Sequence, residues 1–220
     1  MLSSTNCQVI EKAIFYVSDA LCKLQLPHGG FLLGLTLWSP ERQQGTTKIV
    51  GPAYTVKYAL LDDPAPQHPS HYIDSIPEGA VVFISSPKTP NAVYGGLMPT
   101  RAQASKAAGS VIDGRFRDLQ EHRSLNYPVF ARDIGTAPPY GAVKVVGVNV
   151  PVQLQSEERP LMISPEDYLI GDSNGVVMLP RCLADKVLPL LAKQREADAK
   201  MALATREGMD FAQANRTFRA

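Results

Sequence analysis

Two short runs hold the groups able to do chemistry together. Gly95-Gly96-Leu97-Met98-Pro99-Thr100 sets paired glycines where a helix can open, and Asp113-Gly114-Arg115-Phe116-Arg117-Asp118 packs carboxylates and guanidiniums into one stretch. The first N–H groups of a helix have no intrahelical partners and attract a carboxylate or phosphate. Charged side chains just past a strand end can reach the same place. Together the runs spell a small anion site. They also fit a plain turn followed by a surface ion pair, and local physics leaves both readings open.

Those residues need a frame. Ala102, Ala104, Ala107 and Ala108 predict a helix that stops at Gly109, and Ser110 to Ile112 predicts a strand feeding a polar loop, Asp113 to Asp118. Upstream, capping residues Ser3 to Asn6 precede a helical pattern of Val9, Ala13, Val17, Leu21 and Leu24, ended by Pro27 and Gly29-Gly30. Ile49 to Leu61 reads as a strand broken at Gly51-Pro52, and Ala80 to Ser85 as a strand buried on both faces. Tyr72 to Ile76 and Leu119 to Leu125 predict short helices. Val129 to Ala131 predicts a strand, as does Lys144 to Leu154 with a kink at Pro151. Asp172-Ser173-Asn174-Gly175 predicts a hairpin between Tyr168–Gly171 and Val176–Leu179. A terminal helix, about 183–207, follows, with a weak apolar face suited to a partner subunit. The order predicts one α/β domain over residues 1–220, a mixed central sheet layered by helices.

Bulk composition narrows the function. The 220 residues are 45% hydrophobic and 20% charged, ordinary for a globular domain with a real core. A net charge of +1 gives no basic footprint for nucleic acid and no polybasic membrane patch. No apolar run reaches membrane-spanning length and no basic-then-apolar leader opens the chain, so a cytoplasmic protein is expected. Cys7, Cys22 and Cys182 are too scattered for a disulfide framework or a zinc site, and are expected as small buried residues. His68 and His71 lie among prolines and are expected at the surface.

Several blocks in order resemble the RraA-like / 4-hydroxy-4-methyl-2-oxoglutarate aldolase family, with the look of its fungal-type members. They are Ser18-Asp19-Ala20-Leu21, Ile49-Val50-Gly51-Pro52-Ala53, Pro77-Glu78-Gly79-Ala80-Val81, Gly95-Gly96-Leu97, Val111-Ile112-Asp113-Gly114 through Arg117-Asp118, Pro128-Val129-Phe130-Ala131, Val148-Asn149-Val150-Pro151-Val152, and Gly171-Asp172 with Gly175-Val176-Val177. The resemblance implies a swivelling-type β/β/α fold, assembled as a homotrimer or homohexamer with active sites at subunit interfaces. It implies a lyase that uses Mg²⁺ or Mn²⁺ to cleave 4-hydroxy-4-methyl-2-oxoglutarate or 4-carboxy-4-hydroxy-2-oxoadipate to pyruvate and a 2-oxo acid. Oxaloacetate decarboxylation comes with it.

Carried over by position, Arg117 is the guanidinium on the substrate's keto and carboxylate oxygens and Asp118 the direct metal ligand. The backbone of Gly95, Gly96, Leu97 and Met98 receives the pyruvyl carboxylate, with Lys144 as a basic residue nearby. Glu196, or else Glu207, would come from a neighbouring subunit's terminal helix to hold metal-bound water. Many aldolase members have an acidic residue for that water where this chain has Gly96; Asp113 is the expected partial substitute. A Schiff-base route would need a desolvated lysine, and Lys57, Lys88, Lys106 and Lys144 lie in no notably apolar setting. The rival function is that of the family's non-catalytic regulators, which bind a ribonuclease or RNA helicase.

Overall fold

The structure, a computed structural model, describes residues 14–155 and 161–219. The expectations for Ser3 to Asn6, Cys7, Val9 and Ala13 fall outside them. The helices are α1 (Ile14–Lys23), α2 (Leu97–Ala104), α3 (Leu119–Ser124), α4 (Ala184–Arg206) and α5 (Phe211–Phe218). The strands are β1 (Thr36–Ser39), β2 (Ile49–Leu60), β3 (Val81–Ser85), β4 (Ala92–Tyr94), β5 (Gly109–Phe116), β6 (Val129–Ile134), β7 (Val143–Val148), β8 (Val152–Gln153), β9 (Met162–Ile163), β10 (Tyr168–Asp172) and β11 (Gly175–Leu179).

A mixed α/β architecture results. Strands β2, β3, β5 and β6 run parallel through the middle of one large sheet. Strand β1 closes the β6 edge antiparallel, and the β10–β11 hairpin adds antiparallel to the start of β2. The far half of β2 pairs instead with β7, while β4 pairs parallel with the end of β5. Strands β8 and β9 form a separate small ribbon.

Period-two alternation sorts side chains of the central strands into two cores. Val82 and Ile84 join Tyr54, Tyr94 and Phe116 on one face, and Val81 and Phe83 join Val111 and Phe130 on the other. Every residue of β3 is buried, as its unbroken apolar run requires. A third cluster seats α1 and α4 on the hairpin through Val17, Leu21, Ile170, Leu179, Val187 and Leu191.

Several expectations need correcting. The strand expected over Ser110–Ile112 runs on to Phe116, so Asp113 and Arg115 are strand residues. Their polarity is satisfied sideways: Arg115 pairs with Asp133, its neighbour in register on β6, at 2.6 Å. Gly51-Pro52 does not break β2. The Ala53 N–H donates to the Asp167 carbonyl (2.7 Å), so the Pro52 nitrogen faces the other edge, where pairing with β3 starts only at Ala53. The strand expected over Lys144–Leu154 is two, split at Asn149, whose φ is +52°. Helix α2 starts earlier and stops earlier than expected, and α5 follows the terminal helix. Cys22 and Cys182 are exposed free thiols, so they do no core packing.

Candidate active site

The two chemically promising runs meet because β4 and β5 are parallel neighbours that end side by side. Tyr94 pairs with Phe116, and the Arg117 N–H carries the pairing one step further to the Tyr94 carbonyl at 2.9 Å. Both strands then turn into helices, β4 through Gly95-Gly96 into α2 and β5 through Arg117-Asp118 into α3. Two strand-to-helix junctions at one sheet end form the usual place for a small-ligand site in an open α/β sheet.

Asp118 fastens the junctions together. Its carboxylate accepts the Gly96 N–H at 2.9 Å and lies 3.5 Å from the Arg117 Nε. Asp118 opens α3 in the left-handed region, φ +64° and ψ +42°, and does not cap its own helix. That conformation is uncommon outside glycine but is tolerated best by Asp and Asn. Arg117 is steadied from the other side by the Thr136 carbonyl, which accepts from Nη1 at 3.3 Å. Both side chains stay about one-third exposed, 35% and 36%, so their polar atoms remain open to a ligand.

The glycines are there for space. A Cβ on Gly95 would sit 3.1 Å from Asp118 Oδ2 and 3.3 Å from Arg117 Nε. A Cβ on Gly96 would fall inside the Glu121 carboxylate, 2.6 Å from its Cδ, and 3.2 Å from Asp118 Cβ. Glu121 stands in the first turn of α3, where the helix dipole favours a carboxylate. Among the described residues it has no hydrogen-bond or ion-pair partner for that carboxylate.

Beneath the loop lies His122, fully buried. Its ring stacks on Tyr94 at 5.7 Å and meets Phe116 edge-on at 5.2 Å. Nε2 lies 2.9 Å from the Arg117 carbonyl and must be the protonated nitrogen, since a carbonyl only accepts. Nδ1 is then a buried acceptor with no partner among the described residues. Burial pushes the imidazole pKa down, against smaller upward pulls from the Arg117 carbonyl and the Asp118 charge. A neutral ring thus holds the backbone of the arginine that faces solvent.

Other expected site residues lie elsewhere. Asp113 is fully buried and bonded to the Arg132 guanidinium and the Gln155 N–H. Burial raises its pKa although both partners pull it down. It lines a cavity of about 470 Å³ with Ser86, Arg115, Arg132 and Asp133 and is not brought to Asp118. Lys144 donates to the Asp63 carbonyl at 2.7 Å. Glu196 is exposed on α4 and pairs with Lys200 one turn on, at 2.6 Å. The Lys200 ammonium lowers its pKa. Glu207 follows the end of α4 and is also exposed.

Sequence reasoning missed Glu121 and His122. The Asp118-x-x-Glu121 spacing is that of a helix cap and the third helical residue, a signal that could have placed Glu121 beside the loop. A single histidine in a six-residue helix carries no comparable signal.

A family model described as RraA-like: Aldolase/RraA matches residues 17–178. Protein DlpA of Legionella pneumophila is 28% identical over 97% of this chain, which spans about a third of that relative (32%). A protein of Halalkalibacterium halodurans named "Putative 4-hydroxy-4-methyl-2-oxoglutarate aldolase" is 30% identical over 69% of this chain and 68% of its own. Among solved structures, an uncharacterized protein from Pseudomonas syringae pv. tomato superposes with a TM-score of 0.85 at 28% identity, covering 99% of this chain and 95% of its own. RraAS2 of Streptomyces coelicolor, titled an unusual member of the RNase ES inhibitor RraA protein family, gives 0.75 at 18% identity over 92% of this chain and 100% of its own, a likeness of fold.

Proposed function

This chain belongs to the RraA-like family, and within it we propose a divalent-metal-dependent lyase that releases pyruvate from a 4-hydroxy-2-oxo acid and also decarboxylates oxaloacetate. The proposed aldol substrates are 4-hydroxy-4-methyl-2-oxoglutarate and 4-carboxy-4-hydroxy-2-oxoadipate. The observation that carries the reading is the meeting of Arg117 and Asp118 over Gly95-Gly96, with both side chains open to solvent.

Both reactions break the bond from C3 to the leaving carbon and send its electrons toward the 2-keto oxygen, leaving pyruvate enolate. In aldol cleavage the 4-hydroxyl gives up its proton as the second carbonyl forms; in decarboxylation CO₂ departs. The barrier is the charge gathering on the keto oxygen. Arg117 answers it with a permanent, planar cation. Its hydrogen bonds to the keto and carboxylate oxygens strengthen as the enolate forms, which is where catalysis gains. The Thr136 carbonyl uses one guanidinium N–H and Nε faces the Asp118 carboxylate, which leaves the other N–H groups to substrate. Of the N–H groups opening α2, that of Gly96 is taken by Asp118, that of Met98 by the Gly95 carbonyl, and Pro99 has none, so the Leu97 N–H is the one proposed for the 1-carboxylate.

The residues present fit a divalent cation. Asp118 lies 3.5 Å from the Arg117 guanidinium and the Glu121 carboxylate fills the space a Gly96 Cβ would take, so two carboxylates accompany one guanidinium in this loop. Among the described residues no group of three acidic, His or Cys side chains could hold a metal, and Mg²⁺ or Mn²⁺ with one or two carboxylates fits that sparse set. Asp118 would hold it, and when bound it would act as a Lewis acid on the keto oxygen. The one-third exposure of Arg117 and Asp118 suits a site completed by a neighbouring subunit of a trimer or hexamer, with Glu196 as the contributed carboxylate.

The test is pyruvate release from oxaloacetate, coupled to lactate dehydrogenase, with and without Mg²⁺. The reading expects turnover above the metal-only blank that disappears with chelator. Turnover no higher than the blank would contradict it and favour a binding role.

A further inference from the structure

We propose that His122 is a positioning residue for the reaction: its ring sets the peptide that joins Arg117 to Asp118, and so aims both side chains. The inference rests on the lyase reading and deepens it. The Arg117 carbonyl belongs to that peptide, which is planar and turns as one body. Its orientation fixes where Arg117 leaves the strand and where Asp118 enters α3. The turn there is a disfavoured one, with Asp118 at φ +64°, and persists only if its surroundings hold it. His122 does so by donating its Nε2–H to the Arg117 carbonyl at 2.9 Å.

The surrounding contacts make that hold rigid. At the exit of β5 the Phe116 carbonyl takes the Gly135 N–H at 2.7 Å, and the Arg117 N–H goes to the Tyr94 carbonyl at 2.9 Å. The Arg117 carbonyl comes next along the chain, and the donor it meets is the ring. The ring is fully buried, stacked on Tyr94 and edge-on to Phe116, so it has no room to turn away. Tyr94 is fixed in turn, its hydroxyl 2.9 Å from Ser110 Oγ. Tyr94 thus takes one backbone group of Arg117 with its carbonyl, and braces with its ring the histidine that takes the other. An apolar side chain at position 122 would fill the space but offer no donor. The carbonyl would then turn toward water, and the guanidinium and carboxylate would move with it. A misplacement of about 1 Å in such groups is enough to cost about 10²-fold in rate.

The experiment reads the purified full chain twice, once through turnover and once without it. Steady-state kinetics with oxaloacetate and Mg²⁺ gives kcat and KM. Hydrogen–deuterium exchange gives the protection of the Gly96 N–H, which depends on where the Asp118 carboxylate points. His122→Phe keeps a ring but no donor, and His122→Gln keeps an amide N–H within reach of the Arg117 carbonyl. Tyr127→Phe is the control, removing a hydroxyl 3.1 Å from Ser110 Oγ in the same core and leaving the peptide alone. The expected result is that His122→Phe lowers kcat about 10- to 100-fold, changes KM by no more than about threefold, and speeds Gly96 exchange about tenfold. His122→Gln should recover most of both losses. Tyr127→Phe should lower the unfolding temperature and leave kcat and Gly96 exchange unchanged. Wild-type kcat and exchange in His122→Phe overturn the role. Equal losses in His122→Phe and His122→Gln also overturn it, as do losses in Tyr127→Phe as large as those in His122→Phe. If His122→Phe does not fold, His122→Leu takes its place. No pyruvate from the wild type overturns the lyase reading, and Gly96 exchange then decides whether His122 sets the loop.

Discussion

The Asp118 carboxylate accepts the Gly96 backbone N–H at 2.9 Å, tying the exit of β5 to the exit of β4 across 22 positions of sequence. One group therefore holds the site's shape and carries its proposed metal chemistry. The two roles separate by substitution. Asp118→Asn keeps an oxygen to accept the N–H but loses the charge. It should unfold within about 1 kcal/mol of wild type while pyruvate release drops to the metal-only blank. Asp118→Ala should lose activity and a further ~1–2 kcal/mol, read by urea unfolding.

Arg117→Lys tests the guanidinium as a fork. Lysine keeps the charge but cannot bond the Thr136 carbonyl and substrate oxygens together in one plane. The expected loss in kcat is on the order of 10²–10³, with KM changed much less, as for a donor that matters most in the transition state. Steady-state kinetics with oxaloacetate gives both numbers. A kcat within a few-fold of wild type would remove Arg117 from the chemistry.

His122 makes a pH prediction. Burial lowers its folded pKa below the unfolded value of about 6.5, despite the nearby Asp118 charge. The folded state thus binds fewer protons, and this contribution is complete above about 6.5 and lost as pH falls toward the folded pKa. Wild-type unfolding free energy should fall between pH 7.5 and 5.5, and His122→Phe should show a shallower fall. An equal fall in the two proteins, read from urea unfolding free energies at the two pH values, would contradict the buried neutral ring.

Asp113→Asn separates fold from site. It strips the charge facing Arg132 inside the sheet, and Arg132 is 29% exposed, so the cost should stay below that of a fully buried pair, about 2–4 kcal/mol. Mn²⁺ affinity should not change at a temperature where the variant remains folded. Loss of metal with retained stability would return Asp113 to the site.

Much of this was legible in residue order. The continuous apolar run before Pro87 became the fully buried β3, and the Asp172–Gly175 turn became a hairpin paired in register. The Gly95-Gly96 and Arg117-Asp118 runs did come together, because parallel strands end on the same side. What failed was reading polarity as loop. Asp113 and Arg115 look like loop residues until β6 supplies Arg132 and Asp133 beside them, and such partners lie far along the chain. Glu121 escaped for a related reason. Its spacing from Asp118 puts it in the first turn of α3, but its place against Gly96 is set by empty volume 25 positions away, which that spacing does not show.

The account stands on a stabilised pyruvate enolate, and this can be watched without knowing the natural 4-substituent. If the site lowers the energy of that enolate, pyruvate bound there must also exchange its methyl protons with solvent. Proton NMR of pyruvate in D₂O with Mg²⁺ should show the methyl signal disappearing with wild-type protein. It should persist with chelator and be sharply slowed in Arg117→Lys. A methyl signal as durable with wild-type protein as with Mg²⁺ alone would contradict the account.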